Sequence, residues 1–280
     1  MLTAQQIKGI QQLQQQCEQY ETIELKLNWE MLQERKEGSL DFFIWKEDEL
    51  IAYLALYGFG STVEVCGMVK PQERRKGHFT KLWHKAQQVI EEKGFKKVLF
   101  NAPGTSESAK GWLTVQPCDY SFSEFHMHWH QKELLMTEDI VLREATPEDK
   151  AFETSLDADA FFFSIEDAES YYNERLSRVK ERRYIIEVDK TPIGKIRVMR
   201  NLNESYLSGF AVRSEYRGKG YGGKALQWVV KKELPTGNII KLDVETQNDH
   251  ALKLYERIGF VQQERQDYFD VDMTRLKGSY

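Results

Sequence analysis

Residues 216–225 read Tyr-Arg-Gly-Lys-Gly-Tyr-Gly-Gly-Lys-Ala, with four glycines in six positions and Arg217 and Lys219 flanking the first. Glycine lets several backbone N–H groups turn toward one point. The helix-forming run that follows, through Ala225, Leu226, Val229 and Val230, aims its positive dipole end the same way. Such residues in this order make an anion site. A P-loop is excluded, because Lys219 is followed by Gly220 and Lys224 by Ala225 rather than by Ser or Thr. Gly218, Gly220 and Gly223 also spell GxGxxG, with Asp243 twenty residues after the third glycine, in outline a dinucleotide fingerprint. In that fingerprint the strand runs almost directly into the first glycine. Here Arg213, Glu215 and Arg217 intervene, and the motif comes after three strands of its half rather than opening it.

The elements that must carry this loop occur twice. Residues 68–86 (MVKPQERRKGHFTKLWHKA) and 211–229 (AVRSEYRGKGYGGKALQWV) each run from a strand ending in Val, through a charged loop and Arg-x-x-Gly, into a helix. Val69 and Val212, Arg74 and Arg217, and Gly77 and Gly220 are each 143 positions apart. Upstream, 41–58 and 182–200 both read as strand, tight turn, strand; downstream, 96–102 and 239–245 each read as one strand. Phe79, Leu82, Trp83, Ala86 and Ile90 keep helical spacing up to Gly94, and the second helix ends near Pro235 and Gly237. Ile7, Ile10, Leu13, Cys17 and Tyr20 keep the same spacing through a glutamine-rich opening, which predicts a helix there. Residues 140–145 (IVLREA) read as a new first strand and Thr146-Pro147-Glu148 as a helix start. The chain is therefore read as α/β, in two halves, 1–135 and 136–280.

Arg217-x-x-Gly220-x-Gly222, after a strand ending Phe210-Ala211-Val212, resembles the acyl-CoA pyrophosphate loop of the GNAT superfamily of N-acetyltransferases. Residues 248–260 (NDHALKLYERIGF) resemble the superfamily's second signature, an Asn, a short helix with Tyr, then Gly-Phe. The resemblance covers 140–280 well and 1–135 more loosely, so the chain is similar to a tandem GNAT. It implies two domains, each a mixed, mostly antiparallel sheet flanked by helices, the first one degenerate. It implies that N–H groups from Gly218 through Lys219, Gly220, Tyr221 and Gly222 to Gly223 accept the pyrophosphate of acetyl-CoA, with Gly220 and Gly222 bare so that phosphate can approach. Arg217, Lys219 and Lys224 add charge. Phe210, Ala211 and Val212 are implied to pair with pantetheine, the Val212 N–H to polarise the thioester, and Tyr255 to protonate the leaving thiolate. Spacing alone also places Tyr255 on a core face with Ala251, Leu254 and Ile258. Asn248 either binds the cofactor or caps its helix. The proton acceptor is not fixed by the pattern: Glu245 is the first choice, with Glu187, Glu204 or a chain of waters as alternatives. The implied activity moves an acetyl group from acetyl-CoA to a primary amine of a small molecule or peptide, with the chemistry in the second half. The alternative is a non-catalytic acyl-CoA-binding or sensing protein with a partner-docking domain.

In the first half, Val69 and Arg74-Arg75-Lys76-Gly77-His78 keep the strand end, the Arg and the middle Gly, which makes a second candidate cofactor site. Phe79 stands where the second half has Gly222, and Trp112 stands in the place of Tyr255, so catalysis is expected in the second half only. His126, His128 and His130 alternate along a strand, as metal ligands can; without a nearby Cys they read as a strand face, and no metal is expected. Residues 157–170 are acidic and aromatic, which suits a cationic amine. A net charge of −5 over 280 residues argues against nucleic acid as a partner. No apolar run approaches the roughly 18 residues a membrane helix needs. Cys17, Cys66 and Cys118 are odd in number and form no CxxC pair, which fits a reducing compartment. The opening residues carry no basic-then-apolar pattern, so a cytoplasmic protein is expected, as a monomer or homodimer.

Overall fold

The apolar spacing of the opening residues produces helix α1 (Ala4–Glu21), with Ile10, Leu13 and Cys17 buried and a capping box between Thr3 and Gln6 at its start. A computed structural model describes residues 1–35, 40–135, 137–161, 164–176, 181–201 and 203–276. In chain order there follow α2 (Trp29–Glu34), β1 (Asp41–Lys46), β2 (Glu49–Phe59), β3 (Thr62–Val69), α3 (His78–Lys93), β4 (Lys97–Pro103), α4 (Glu107–Leu113) and β5 (Cys118–Trp129). Next come β6 (Val141–Glu144), α5 (Lys150–Phe161), α6 (Ile165–Arg175), β7 (Glu181–Val188), β8 (Thr191–Arg200) and β9 (Glu204–Val212). The chain ends with α7 (Tyr221–Glu233), β10 (Ile239–Glu245), α8 (Asp249–Ile258), β11 (Phe260–Val271) and α9 (Met273–Leu276). Phe162 and Phe163, in the acidic and aromatic segment noted above, lie outside the described residues.

Two compact units divide the chain, one of residues 1–123 with 264–280 and one of residues 124–263. The repeat seam after residue 135 is a different division. The last residues join the first unit because β11 pairs antiparallel with β4, from Gln266↔Pro103 to Asp270↔Leu99. In that unit β1, β2 and β3 are antiparallel neighbours, and β3 runs parallel to β4 from Thr62↔Lys97 to Val65↔Phe100. The apolar stripe of α3 (Leu82, Trp83, Ala86, Ile90) packs on Leu54, Leu56, Val63 and Phe100. A separate cluster joins α1 to Tyr53, Tyr57 and Cys66.

In the second unit the strand order is β6-β7-β8-β9-β10-β5. β7 and β8 form a hairpin whose turn residues, Asp189 and Lys190, both have positive φ, the handedness that two-residue hairpins favour. β9 and β10 run parallel, joined by α7, and β10 pairs antiparallel with residues 124–128 of β5. The predicted stripe of α7 (Ala225, Leu226, Val229, Val230) is fully buried against Ile196, Val198, Leu207 and Leu242. The alternate side chains of β8, Lys195 and Arg197, meet α5 and α6 instead: Lys195 and Arg197 reach Asp157, and Arg197 lies over the Tyr171 ring.

Candidate functional site

The parallel pairing of β9 with β10 ends at Leu207↔Leu242. Beyond that point Ser208–Val212 and Asp243–Glu245 part, and the backbone edges between them face a cleft instead of one another. On its other side β9 stays paired with β8, but with a bulge. Lys195 faces Ala211 and Arg197 faces Ser208, so one extra residue is accommodated around Gly209–Phe210. Gly209 takes a positive φ of 54° there, and a Cβ would fall on the Arg197 guanidinium, so the bulge and its glycine require each other.

The cleft has a volume of about 1150 Å³. It is lined by Phe210, Ala211 and Val212 of β9, by Arg217, Gly218, Gly220, Tyr221, Gly222 and Gly223 of the loop and α7, and by Glu245, Asn248 and Tyr255. The structure thus brings together most of the second-half residues singled out in the sequence; Lys224, Glu187 and Glu204 lie outside the lining, as does Lys219, whose ammonium sits over the Tyr216 ring, 5.1 Å from its centroid. Gly218 and Gly220 have φ of 74° and 86°, with nothing within 4 Å of a Cβ at either. Backbone handedness demands glycine at these two positions. At Gly222 the demand is steric, since a Cβ would lie 3.3 Å from the Phe210 ring. Arg217 is not a free cation: its Nε donates to the Val212 carbonyl at 2.8 Å and its Nη2 lies 3.4 Å from Asp159. Lys224 pairs with Asp139. His250, Lys253 and Arg257 of α8, which the motifs did not flag, add basic groups to the lining. The head of α7, the left-handed glycines and these cations fit a pyrophosphate.

Tyr255 is 8% exposed and packs edge-on against Phe260. Burial pushes its phenol up to about 12. Asn248 caps α8, its Oδ1 accepting the Ala251 N–H at 3.1 Å, and the residue also lines the cleft. Of the carboxylates proposed as proton acceptor, Glu187 pairs with Arg143 at 2.7 Å and Glu204 with Lys241 at 2.5 Å. Glu245 is exposed at the cleft rim, opposite Glu124 in register. Sequence reasoning met Asp243 only as the acidic end of a dinucleotide fingerprint; it lines the cleft where the strands part. His126 Nδ1 shares a hydrogen bond with one Asp243 oxygen at 2.5 Å, and the Tyr206 hydroxyl donates to the other at 2.9 Å. His128 is held down to about 4, first by burial and then by Lys241. The trace left in the sequence is the alternation of His126 and His128, which face Asp243 and Lys241 in register.

One family model, the acetyltransferase (GNAT) family, matches residues 7–110 and again 149–260. The chain belongs to the GNAT acetyltransferase family. Its fold is that of a GNAT pair. It superimposes on a GCN5-related N-acetyltransferase from Sphaerobacter thermophilus with a TM-score of 0.75 at 18% identity, over 94% of this chain and 91% of that one. A tandem GNAT protein from the clavulanic acid biosynthesis pathway gives 0.65 at 16% identity, over 82% of each chain. An acetyltransferase of the GNAT family from Colwellia psychrerythraea gives 0.61 at 14% identity, over 95% of this chain and 97% of that one. No curated protein matches the chain.

The first GNAT unit has the same framework with different furniture. β3 and β4 part after Val65↔Phe100, and Arg74 Nε donates to the Val69 carbonyl at 3.1 Å, as Arg217 does to Val212. Here β3 pairs with β2 without a bulge. Three basic side chains of the second candidate cofactor site lie against carboxylates: Arg74 by Glu21, Lys76 by Glu73 at 2.8 Å, and His78 by Glu73 at 3.6 Å. Gly77 and Arg75 both take positive φ. Phe79 packs edge-on against Trp112, which in turn meets Phe100, with centroids 4.6 and 5.0 Å apart. Where the second unit has the Tyr255 hydroxyl, this one has an indole whose N–H is given to Thr80.

Proposed function

We propose that the protein is an acetyl-CoA-dependent N-acetyltransferase that acetylates a primary amine, with its chemistry in the second unit. The observation that carries this reading is a single cleft joining three things: the parted and bulged strand β9, the left-handed glycine loop at the head of α7, and Tyr255. The loop N–H groups from Gly218 to Gly223 receive the pyrophosphate, assisted by the basic groups of α8. The free edge of Phe210–Val212 receives pantetheine as another strand would, and a bulge N–H donates to the thioester oxygen as charge develops on it. Tyr255, raised by burial, keeps its proton throughout the physiological range. Full transfer from a phenol near 12 to a thiolate runs uphill, so its main contribution is a hydrogen bond to the departing sulfur.

The first unit is read as non-catalytic, because it lacks both the bulge and the phenol. The cysteines carry no sign of redox work, since burial raises all three thiols above their ordinary value. The test is calorimetric titration with acetyl-CoA, followed by a thiol-release assay against amino acids, polyamines, aminoglycosides and peptide amino termini. Binding with turnover on at least one amine is expected; failure to bind acetyl-CoA overturns the reading. Binding without turnover on any class would establish the sensing alternative instead.

A further inference from the structure

Resting on that reading, we propose that Asp243 is the catalytic proton acceptor, and that His126 and Tyr206 are the positioning residues that aim it. Asp243 is the first residue of β10 past its last pairing with β9, and its counterpart across the opening is Ser208. The carboxylate therefore stands at the apex of the parted strands, beside the bulge at Gly209–Phe210. Its side chain is 12% exposed, and the residue lines the cleft. Two donors from two different strands grip it. His126 of β5 faces it directly in register, and Tyr206 of β9 reaches it from the other side. An ionised carboxylate only accepts, so His126 Nδ1 carries the proton of the shared bond. Each donor holds one oxygen, and the carboxylate lines the cleft in which an amine would stand.

The faces of the sheet separate the two ends of the reaction. Leu242 and Val244 turn toward the core that contains Tyr255, so Asp243, between them, turns the opposite way. A base on one face and an acid on the other approach a thioester lying between the strands from opposite sides, and cannot exchange a proton directly. In the step that follows, a neutral amine nitrogen bonds to the acetyl carbon and gives its proton to Asp243. The carbon–sulfur bond breaks, and the sulfur leaves with the bonding pair as a thiolate that accepts a hydrogen bond from Tyr255. Solvent then takes the proton from Asp243 and supplies one to the thiolate. Glu245 lies on the same face two residues further out, at the exposed rim, where it serves to attract a cationic acceptor rather than to take its proton.

The experiment uses the full chain and the amine that the thiol-release panel identifies. Asp243→Asn should lose 100-fold or more in kcat, the scale of a lost general base, with acetyl-CoA affinity by calorimetry unchanged. Glu245→Gln should change kcat/KM for the amine by less than tenfold. Asp243→Ala should regain at least tenfold in kcat with added formate, which leaves the wild type unaffected. His126→Leu should lose about tenfold in kcat, and His126→Asn, whose amide N–H replaces the Nδ1 donor, should restore most of it. Asp243→Asn within threefold of the wild type, a larger loss in Glu245→Gln, no formate rescue, or equal losses in the two His126 variants would each overturn the assignment. Absence of turnover in the wild type would overturn the acetyltransferase reading itself; turnover that survives Asp243→Asn overturns only this inference.

Discussion

Asp157→Asn isolates the buried charge cluster beneath the bulge. Lys195 and Asp157 are each 1% exposed. The Lys195 ammonium lies 2.5 Å from the Asp157 carboxylate and donates to the Glu153 carbonyl at 2.8 Å, while Arg197 approaches the same carboxylate at 3.4 Å. Burial, reinforced by Arg197 and opposed by Asp157, lowers Lys195 from 10.5 to about 8. A lysine whose folded value lies below its unfolded one destabilises the fold while charged. That penalty is complete below about pH 8 and fades as the pH climbs toward 10.5, where both states are neutral. Removing the Asp157 charge leaves Lys195 one escape, which is to give up its proton. At pH 7 this is one pH unit away, so the added loss traceable to Lys195 reaches about 1.4 kcal/mol. At pH 9 the amine is already neutral in the wild type, and this share of the loss disappears. Arg197 stays charged at both values, and its share is constant. Urea unfolding of both proteins at pH 7, 8 and 9, with m-values compared, should therefore show a stability difference that shrinks by about 1.4 kcal/mol across the series. A difference that is flat with pH, or that widens, would refute the reasoning.

Tyr255→Phe should leave acetyl-CoA affinity within twofold and lower kcat at least tenfold, read by calorimetry and thiol release. Gly220→Ala forces a Cβ into the left-handed region, which costs about 1–2 kcal/mol, and should weaken acetyl-CoA binding at least tenfold. Gly77→Ala places the same strain in the first unit and should leave that affinity unchanged. Calorimetry of the intact chain should give one acetyl-CoA site; a second site, lost on Arg74→Ala, would show that the first unit binds as well.

Much of this arrangement is legible in the residues. Helical spacing found α1, α3 and α7, the constant repeat found the matching loops, and the loop itself found the cleft. What stayed hidden is whatever depends on register between distant segments. The β9 bulge exists only as an extra residue relative to β8, and Gly209 gives no sign in sequence that an arginine side chain lies over it. His126 and Asp243 are brought together by an antiparallel pairing of β5 with β10 that no local pattern specifies. The alternating histidines were visible as a face without a partner. Likewise the motif marked Gly220 and Gly222 as the positions that must be bare, whereas the φ of 74° at Gly218 makes glycine as necessary there as at Gly220.

The two GNAT units exchange one aromatic ring and one glycine between helix and strand. In the first, a phenyl ring on the helix, Phe79, lies against a glycine on the strand, and a Cβ at Gly67 would come within 2.8 Å of it. In the second, the ring is on the strand, as Phe210, and the glycine is on the helix, as Gly222. Each unit thus places one aromatic ring between helix and strand, so the sheet and helix stay in similar packing. The anchor decides the chemistry. A ring rooted in the first turn of the helix packs edge-on against Trp112. A ring rooted in the strand lines the cleft beside the glycines of the helix head. Either placement keeps one ring between helix and strand, which leaves the two packed together.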